Sequence, residues 1–253
     1  MSVTLMPCRV VVLVKAIPHP SRRYGETVCC AGVTVDRYWK RLFPIRFRRM
    51  KEKFSRWDWI DFRYSVPRDD RRPESCRVAH ESLFVSGRLP SKERAAFLEP
   101  LVRPSWKLAA NAGETLALIR PTNVRFYHRR KSRDAIANER EGYERAIAQG
   151  DIFEREDLTA LEPIPYVFRF RYSDADGIHH GTCEDWETNA TFWKFRRERS
   201  EQEALTYLNQ VYNEEYPRRG VVFAMGNTKT RPQTWLLLGV IRLDEPKQLG
   251  LDL

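Results

Sequence analysis

The sequence lacks a long apolar run. Even a run such as Val10 to Val14 is far shorter than the roughly 20 apolar residues that a membrane-spanning helix needs. The first residues carry no basic stretch ahead of an apolar core, so no secretory signal is predicted. Apolar residues make up 42% of the chain and charged residues 31%, a mixture typical of folded proteins. We therefore expect a soluble protein of the cytoplasm.

Several sequence motifs of catalysis and metal binding are also missing. No CxxC pair occurs among the five cysteines, which argues against zinc ribbons and thioredoxin-like sites. Adjacent Cys29 and Cys30 would point to opposite faces of a strand. Neither the GxxxxGK[ST] loop nor the HExxH and HxE…PCxxC signatures are found. We expect reduced thiols, no bound metal and no cofactor.

The unusual quantity in this sequence is its charge. Lys and Arg number 44 against 34 Asp and Glu, which gives a net charge of +10. Residues 1–73 contain 17 basic and 7 acidic residues, whereas residues 74–253 contain 27 of each. The whole excess therefore belongs to the first third of the chain. A concentrated basic field attracts polyanions, so the charge predicts an anionic partner, with nucleic acid the first choice.

The spacing of apolar residues predicts an α+β fold. Short runs of β-branched and aromatic residues fill the first 90 residues, which predicts a small bent sheet or partial barrel. Helices are predicted from Ser91 to about Val102 and from Asp134 to Gln149. Ser200 and Glu203 form a capping box ahead of a third. The predicted domains are a basic β-rich domain with one helix at 1–130, a polar helical connector at 131–162 and a smaller α+β domain at 163–253.

Two stretches of the first domain combine arginines with aromatic residues. They are PHPSRRYGET at 18–27 and WKRLFPIRFRRM at 39–50, and the basic loop GNTKTRP at 226–232 adds further cations. Guanidinium groups bind phosphate oxygens, and aromatic rings stack on bases. In the opposite interpretation the aromatic residues are core and the arginines cover them. The predicted nucleic-acid-binding residues are Arg22, Arg23, Tyr24, Lys40, Arg41, Arg46, Arg48, Arg49, Lys229 and Arg231.

Two alternative functions remain open. The stretch IHHGTCEDWE at 178–187 offers His180, Asp185 and Glu187 as candidates for a metal-dependent nuclease or hydrolase. On a continuous strand His180 would face away from Asp185, so the three converge only if the chain bends at Gly181. Catalysis is therefore the weaker interpretation. The other alternative is an assembly subunit whose basic surface binds an acidic protein.

The order of several segments resembles a known family. PSRRYGETVCCAGV, WKRLFPIRFRRM, WDWIDF, RRPES, TLALIRPTNV, DWE and FAMGNTKTRPQTWLLLGV follow one another here. This order is similar to an uncharacterised bacterial family found among defence and mobile-element genes, and the resemblance spans nearly the whole chain. It implies a component of a bacterial defence or mobile-element system. Some relatives carry paired cysteines ahead of DWE, but this chain has only Cys183 there, so a zinc site is not implied.

Overall fold

The computed structural model describes residues 4–21, 25–46, 53–148 and 160–244, and all structural statements refer to these. The α+β fold predicted from the sequence is confirmed. The strands are β1 (Met6–Lys15), β2 (His19–Ser21), β3 (Gly25–Val33), β4 (Trp39–Ile45), β5 (Asp58–Ser65), β6 (Ser75–Arg88), β7 (Val102–Arg103), β8 (Leu116–Ile119), β9 (Thr122–Arg130), β10 (Tyr166–Asp174), β11 (Gly177–Thr182), β12 (Val221–Asn227) and β13 (Trp235–Arg242). The helices are α1 (Ser91–Leu98), α2 (Trp106–Asn111), α3 (Arg133–Ala148), α4 (Trp186–Glu198), α5 (Glu201–Gln210) and α6 (Tyr216–Arg218).

The first strands close into a five-stranded barrel. Antiparallel pairings join β1 to β3, β3 to β4, β1 to β5 and β5 to β6, and a parallel pairing of β4 with β6 completes the ring. This Greek-key order, with one parallel closure, is that of the OB-fold. Val12, Leu42 and Ile60 are among the side chains that fill the interior. Strand β4 pairs with β3 on one side and β6 on the other, and its register with β3 shifts between Val28 and Cys30.

The second half of the chain repeats this strand order. Strands β8 and β9 are separated only by residues 120–121, and they belong to two sheets, β13-β12-β8-β7 and β11-β10-β9. Just after β11, Cys183 forms a parallel bridge with Leu237 of β13. These pairings therefore form a second, more open barrel of the same topology, with the strand order β8/β9, β10, β11, β13, β12. Its core is aromatic, with Phe170 in contact with Phe126, Tyr212 and Phe223.

The two barrels share a continuous apolar core. Val11 and Val14 of β1 with Ala31 and Val33 of β3 form one side of it. The other side comes from the second barrel, and its buried members are Leu116, Leu118, Val222, Ala224 and Ile241. Since the barrel interior is filled by the alternate residues of β1, this contact uses the outer face of the first barrel. The outer surface of β1 and β3 is thus buried against the second barrel.

A helix between β9 and β10 of the second barrel contacts the first barrel. Helix α3, in the predicted polar connector, reaches the segment before β2, where the Tyr143 hydroxyl donates to the Pro18 carbonyl over 3.1 Å. The predicted domain limits at 130 and 162 stay a prediction; β9, before the first limit, pairs with β10, after the second. Among the described residues, no helix is both long and apolar enough to cross a membrane.

Candidate nucleic-acid interface

Half of the predicted binding residues cannot be placed on the structure. Arg22, Arg23, Tyr24, Arg48 and Arg49 lie outside the described residues, so their role stays a prediction. Arg46 is half-buried. Lys40 is also half-buried, with its ammonium nitrogen 5.3 Å from the centre of the Tyr64 ring and 3.5 Å from the Tyr64 hydroxyl oxygen.

Arg41 is an internal residue that joins the two barrels. Its side chain is only 5% exposed, and its Nε donates to Glu74 Oε1 over 2.7 Å. Its Nη2 donates to the carbonyl oxygen of Thr115, just before β8, over 2.5 Å. Both contacts use the guanidinium inside the protein. Arg41 is therefore not the surface cation that the sequence predicted.

Two equivalent loops of the barrels meet beside Arg41. The β5–β6 loop of the first barrel carries the RRPES segment, and the β12–β13 loop of the second carries Lys229 and Arg231, both exposed. The Lys229 ammonium lies 2.7 Å from Asp69 Oδ2, and Arg72 Nη1 donates to the Asn227 carbonyl over 3.0 Å. These segments, which carry part of the family resemblance, thus form a polar joint between the barrels.

The β5–β6 loop is held by a carboxylate with a strongly lowered pKa. Arg72 donates to Asp70 through Nε at 3.0 Å and Nη2 at 2.7 Å, and the Ser75 hydroxyl donates over 2.8 Å. Burial alone would raise the pKa of Asp70. The hydrogen bonds from Arg72 and Ser75 outweigh burial and lower this pKa to about 2.

Asp70→Asn is expected to remove an acid-sensitive part of the folding stability. A carboxylate whose pKa falls from 3.8 unfolded to about 2 folded stabilises the fold fully above about pH 5. That contribution is lost as the pH falls through about 2. Urea unfolding of both proteins at pH 7, 4 and 3 measures it, with Asp36→Asn in the exposed β3–β4 turn as the control. An unchanged acid dependence in Asp70→Asn would contradict the assignment.

The three candidate catalytic residues do not form one site. Asp185 is fully buried and caps α4, where it accepts from the backbone amides of Glu187 and Val240 and from Arg56 Nη2 at 2.8 Å. The Glu187 carboxylate instead lies 2.6 Å from the Lys15 ammonium. His180 is exposed on β11, with its Nδ1 3.1 Å from the Tyr127 hydroxyl. No three potential metal ligands cluster within the part of the chain that the structure describes.

A continuous strand over residues 178–187 is therefore not formed. Strand β11 ends at Thr182, and Asp185 is the N-cap of α4. An aspartate with Glu187 in the following turn is a typical helix start, so the sequence contained this signal. Burial opposes the charge of Arg56, but Asp185 and Glu187 outweigh burial and raise the pKa of this guanidinium. The pair is a structural ion pair between the barrels.

A basic surface that the sequence did not predict lies on the second barrel. Phe126, Phe168, Phe170 and Tyr172 point into the core, so the alternate residues of β9, β10 and β11 point outward. We call these outward residues the arginine face: they are Arg125, Tyr127, Arg129, Val167, Arg169, Arg171, Ile178, His180 and Thr182. No Asp or Glu is among them.

The cations of the arginine face are close together, and no carboxylate of the described residues pairs with its arginines. Arg171 lies directly opposite Arg125 on one side and His180 on the other. Arg169 lies opposite Tyr127, with its guanidinium carbon 6.0 Å from the ring centre. Among the described residues, no ion pair involves any of the four arginines, and the buried Nε of Arg169 has no hydrogen-bond partner.

The equivalent surface of the first barrel is partly covered, whereas the arginine face of the second barrel is open. OB-folds bind oligonucleotides and oligosaccharides on the second and third barrel strands and the adjoining loops. In the first barrel these strands are β3 and β4, and the second barrel covers part of them through Ala31, Val33 and Arg41. In the second barrel they are β10 and β11, where Ile178 and His180 are exposed. The open sheet is thus the one whose arginines form no ion pair within the described part of the chain.

Fold and surface together define a protein of two joined OB-type barrels, one of which presents a basic sheet. Residues 105–252 match the family model of DUF8757, a domain of unknown function, and the chain belongs to this family. Residues 6–103 match the model of another domain of unknown function, DUF8758. The limit between the matches falls between β7 and α2. No curated protein matches the chain.

Two solved structures show weak similarity. One is described as the molecular basis for abrogation of activation of pro-inflammatory cytokines; it is 12% identical, with 73% of this chain and 80% of that chain covered and a TM-score of 0.34. The other is a replication protein A heterotrimer bound to single-stranded DNA; it is 11% identical, with 96% and 66% covered and a TM-score of 0.26. At these TM-scores neither similarity carries a functional argument.

Proposed function

We propose that this protein binds single-stranded nucleic acid on the arginine face of its second barrel. The observation that carries this proposal is the set of four arginines, Arg125, Arg129, Arg169 and Arg171, on one sheet surface without a carboxylate partner among the described residues. Unpaired guanidinium groups match the phosphate oxygens of a nucleic-acid backbone.

The ligand-free arrangement has an energetic cost that an anion would remove. Like charges directly opposite each other on neighbouring strands are destabilising, as for Arg125 and Arg171. The partly desolvated Nε of Arg169 adds a donor without a protein acceptor. Phosphate oxygens supply both the missing negative charge and the missing acceptor.

The shape of the surface favours a single strand over a duplex. Three strands about 4.8 Å apart make a sheet roughly 10 Å wide, and Arg125 and Arg129 lie roughly 14 Å apart along β9. Tyr127 lies between them and offers a ring on which an unpaired base can stack. Proteins that read duplex DNA commonly insert a helix or a two-stranded ribbon into the major groove. A basic sheet surface with an aromatic ring suits unpaired bases better.

This location differs from the first-domain surface that the sequence predicted. The basic excess of residues 1–73 supports the same function by attracting the strand over a longer range. Lys229 and Arg231 are exposed and offer additional phosphate contacts. A place in a bacterial defence or mobile-element system, which the family resemblance implies, is part of the proposal.

The test compares two variants with the same net charge. One carries Arg→Gln at the four positions of the arginine face. The control carries Arg→Gln at four exposed arginines elsewhere, which are Arg140, Arg145, Arg197 and Arg218. Binding of a labelled 15-nucleotide single strand is measured by fluorescence anisotropy between 50 and 200 mM salt.

Four phosphate contacts to a single strand predict a slope of about −3 for log K against log[salt], or about a 50-fold loss over this range. The control variant should keep that slope, whereas the arginine-face variant should bind weakly and almost independently of salt. Equal losses in both variants would reject the proposed site and indicate a nonspecific effect of net charge. Stronger competition by polyglutamate than by oligonucleotide would favour an acidic protein partner instead.

A further inference from the structure

A separate cavity lies on the first barrel, under the β5–β6 loop. Its volume is about 250 Å³. Its floor is the outer surface of the barrel where β4 pairs with β6, with Phe43 and Arg77 side by side in the register. Pro67 and the carboxylates of the loop form one wall, and Lys229 reaches in from the second barrel.

The cavity lies on the part of the first barrel's β3–β4 surface that the second barrel does not cover. Arg41 and its bond to Thr115 mark where the second barrel covers this face, and Phe43 lies two residues further along the same side of β4. The strand positions and the adjoining loop are those that OB-folds use for ligands. The second barrel thus leaves one compact compartment rather than an extended groove.

The lining combines one aromatic surface with two cations. Phe43 is 37% exposed, an unusual position for a large apolar ring in a barrel wall. Arg77 and Lys229 are exposed at the rim. The carboxylate of Asp70 is held by Arg72, and the carboxylate of Asp69, also in the lining, is paired with Lys229. A solvent-exposed pair of this kind contributes only about 0–1 kcal/mol, so a phosphate can replace the carboxylate at little cost.

We propose that this cavity binds one nucleotide, with the base against Phe43 and the phosphate between Arg77 and Lys229. A cavity of about 250 Å³ can hold one base with its phosphate at the open rim, but not a longer segment. The ligand is either a free nucleoside monophosphate or one nucleotide of a bound strand, since both present the same chemistry. The site lies on the other barrel and goes beyond the proposed function, because it does not require the arginine face.

The experiment uses the full chain and four nucleoside monophosphates, AMP, GMP, CMP and UMP, at millimolar concentration. Saturation-transfer difference NMR reports whether base protons contact the protein, and a titration gives the dissociation constant. The variants are Phe43→Leu and Arg77→Gln, with Phe84→Leu at an exposed ring of β6 as the matched control. Melting temperatures confirm that each variant is folded, and Arg77→Gln, at an exposed residue, tests the site even where Phe43→Leu does not fold.

Loss of the stacking ring should weaken nucleotide binding about 5- to 160-fold, whereas Phe84→Leu should leave it unchanged. A second arm cross-links a 5-bromouridine-containing single strand by light and maps the attached peptide. Monophosphate binding that persists in the arginine-face variant identifies the free nucleotide as the ligand. A cross-link on the Phe43 peptide without monophosphate binding identifies a nucleotide of the strand. Neither signal, or binding that Phe43→Leu and Arg77→Gln leave intact, would overturn the proposal.

Discussion

Asp185→Asn is expected to lower the free energy of unfolding by about 3–5 kcal/mol, because it leaves the Arg56 charge buried without its partner. The Asp185 side chain is 0% exposed and that of Arg56 is 11% exposed. Asparagine still caps a helix and accepts hydrogen bonds, so this variant changes the charge more than the cap. Urea unfolding at pH 7 measures the effect.

Two further variants test whether Asp185 belongs to a structural ion pair or is a catalytic residue. Arg56→Met combined with Asp185→Asn removes both charges and should recover much of the lost stability. Glu187→Gln removes a carboxylate partner of the Lys15 ammonium, whose side chain is 7% exposed. Because the Glu187 side chain is itself 36% exposed, the loss should be smaller than for Asp185→Asn. If Asp185→Asn keeps full stability but removes a metal-dependent nuclease activity, the catalytic alternative is correct and the ion pair is not a structural requirement.

Leu118→Ala should cost about 2–5 kcal/mol and destabilise both barrels together. Leu118 lies on β8 of the second barrel, is 0% exposed, and belongs to the apolar core shared with β1 and β3. The cavity left by the smaller side chain therefore removes packing from both sides of the contact. Hydrogen exchange read by mass spectrometry measures the change in each barrel separately.

The matched control is Leu108→Ala, at a leucine of α2 that is 48% exposed. It should change the free energy of unfolding by less than about 0.5 kcal/mol, as for most surface substitutions. Faster exchange confined to β8–β13, with β1–β6 unaffected, would show that the barrels unfold independently.

The sequence predicted the individual strands of the first barrel better than their arrangement. Alternation of polar and apolar residues indicates a strand, as in WDWIDF, but does not say which strand lies next to it. The parallel pairing of Arg41 with Ser75 closes the barrel over 34 residues. The bridge of Cys183 with Leu237 does so over 54 residues. Such contacts leave no local pattern, so the repeated topology was not predicted.

The arginine face had a local signal that the charge count concealed. In NVRFYHRR and in VFRFRY, arginines alternate with core aromatic residues, such as Phe126 and Phe170. Residues 74–253 sum to zero charge, yet the arginine face gathers four arginines and no Asp or Glu. Conversely, Arg41 belonged to the most basic segment and became internal. Charge per segment therefore predicts an anionic partner but does not locate a binding surface.

The opposed arginines on β9 and β10 make dissolved salt act on this protein in two opposite directions. Screening weakens their mutual repulsion, so added salt should raise the melting temperature of the ligand-free chain while it loosens a bound strand. A ligand bound to the arginine face would reduce the same repulsion between the arginines. Because it binds only the folded protein, it would also stabilise the folded state by mass action. Protein molecules present in excess of the ligand would then unfold more often, and proteases would degrade these molecules first.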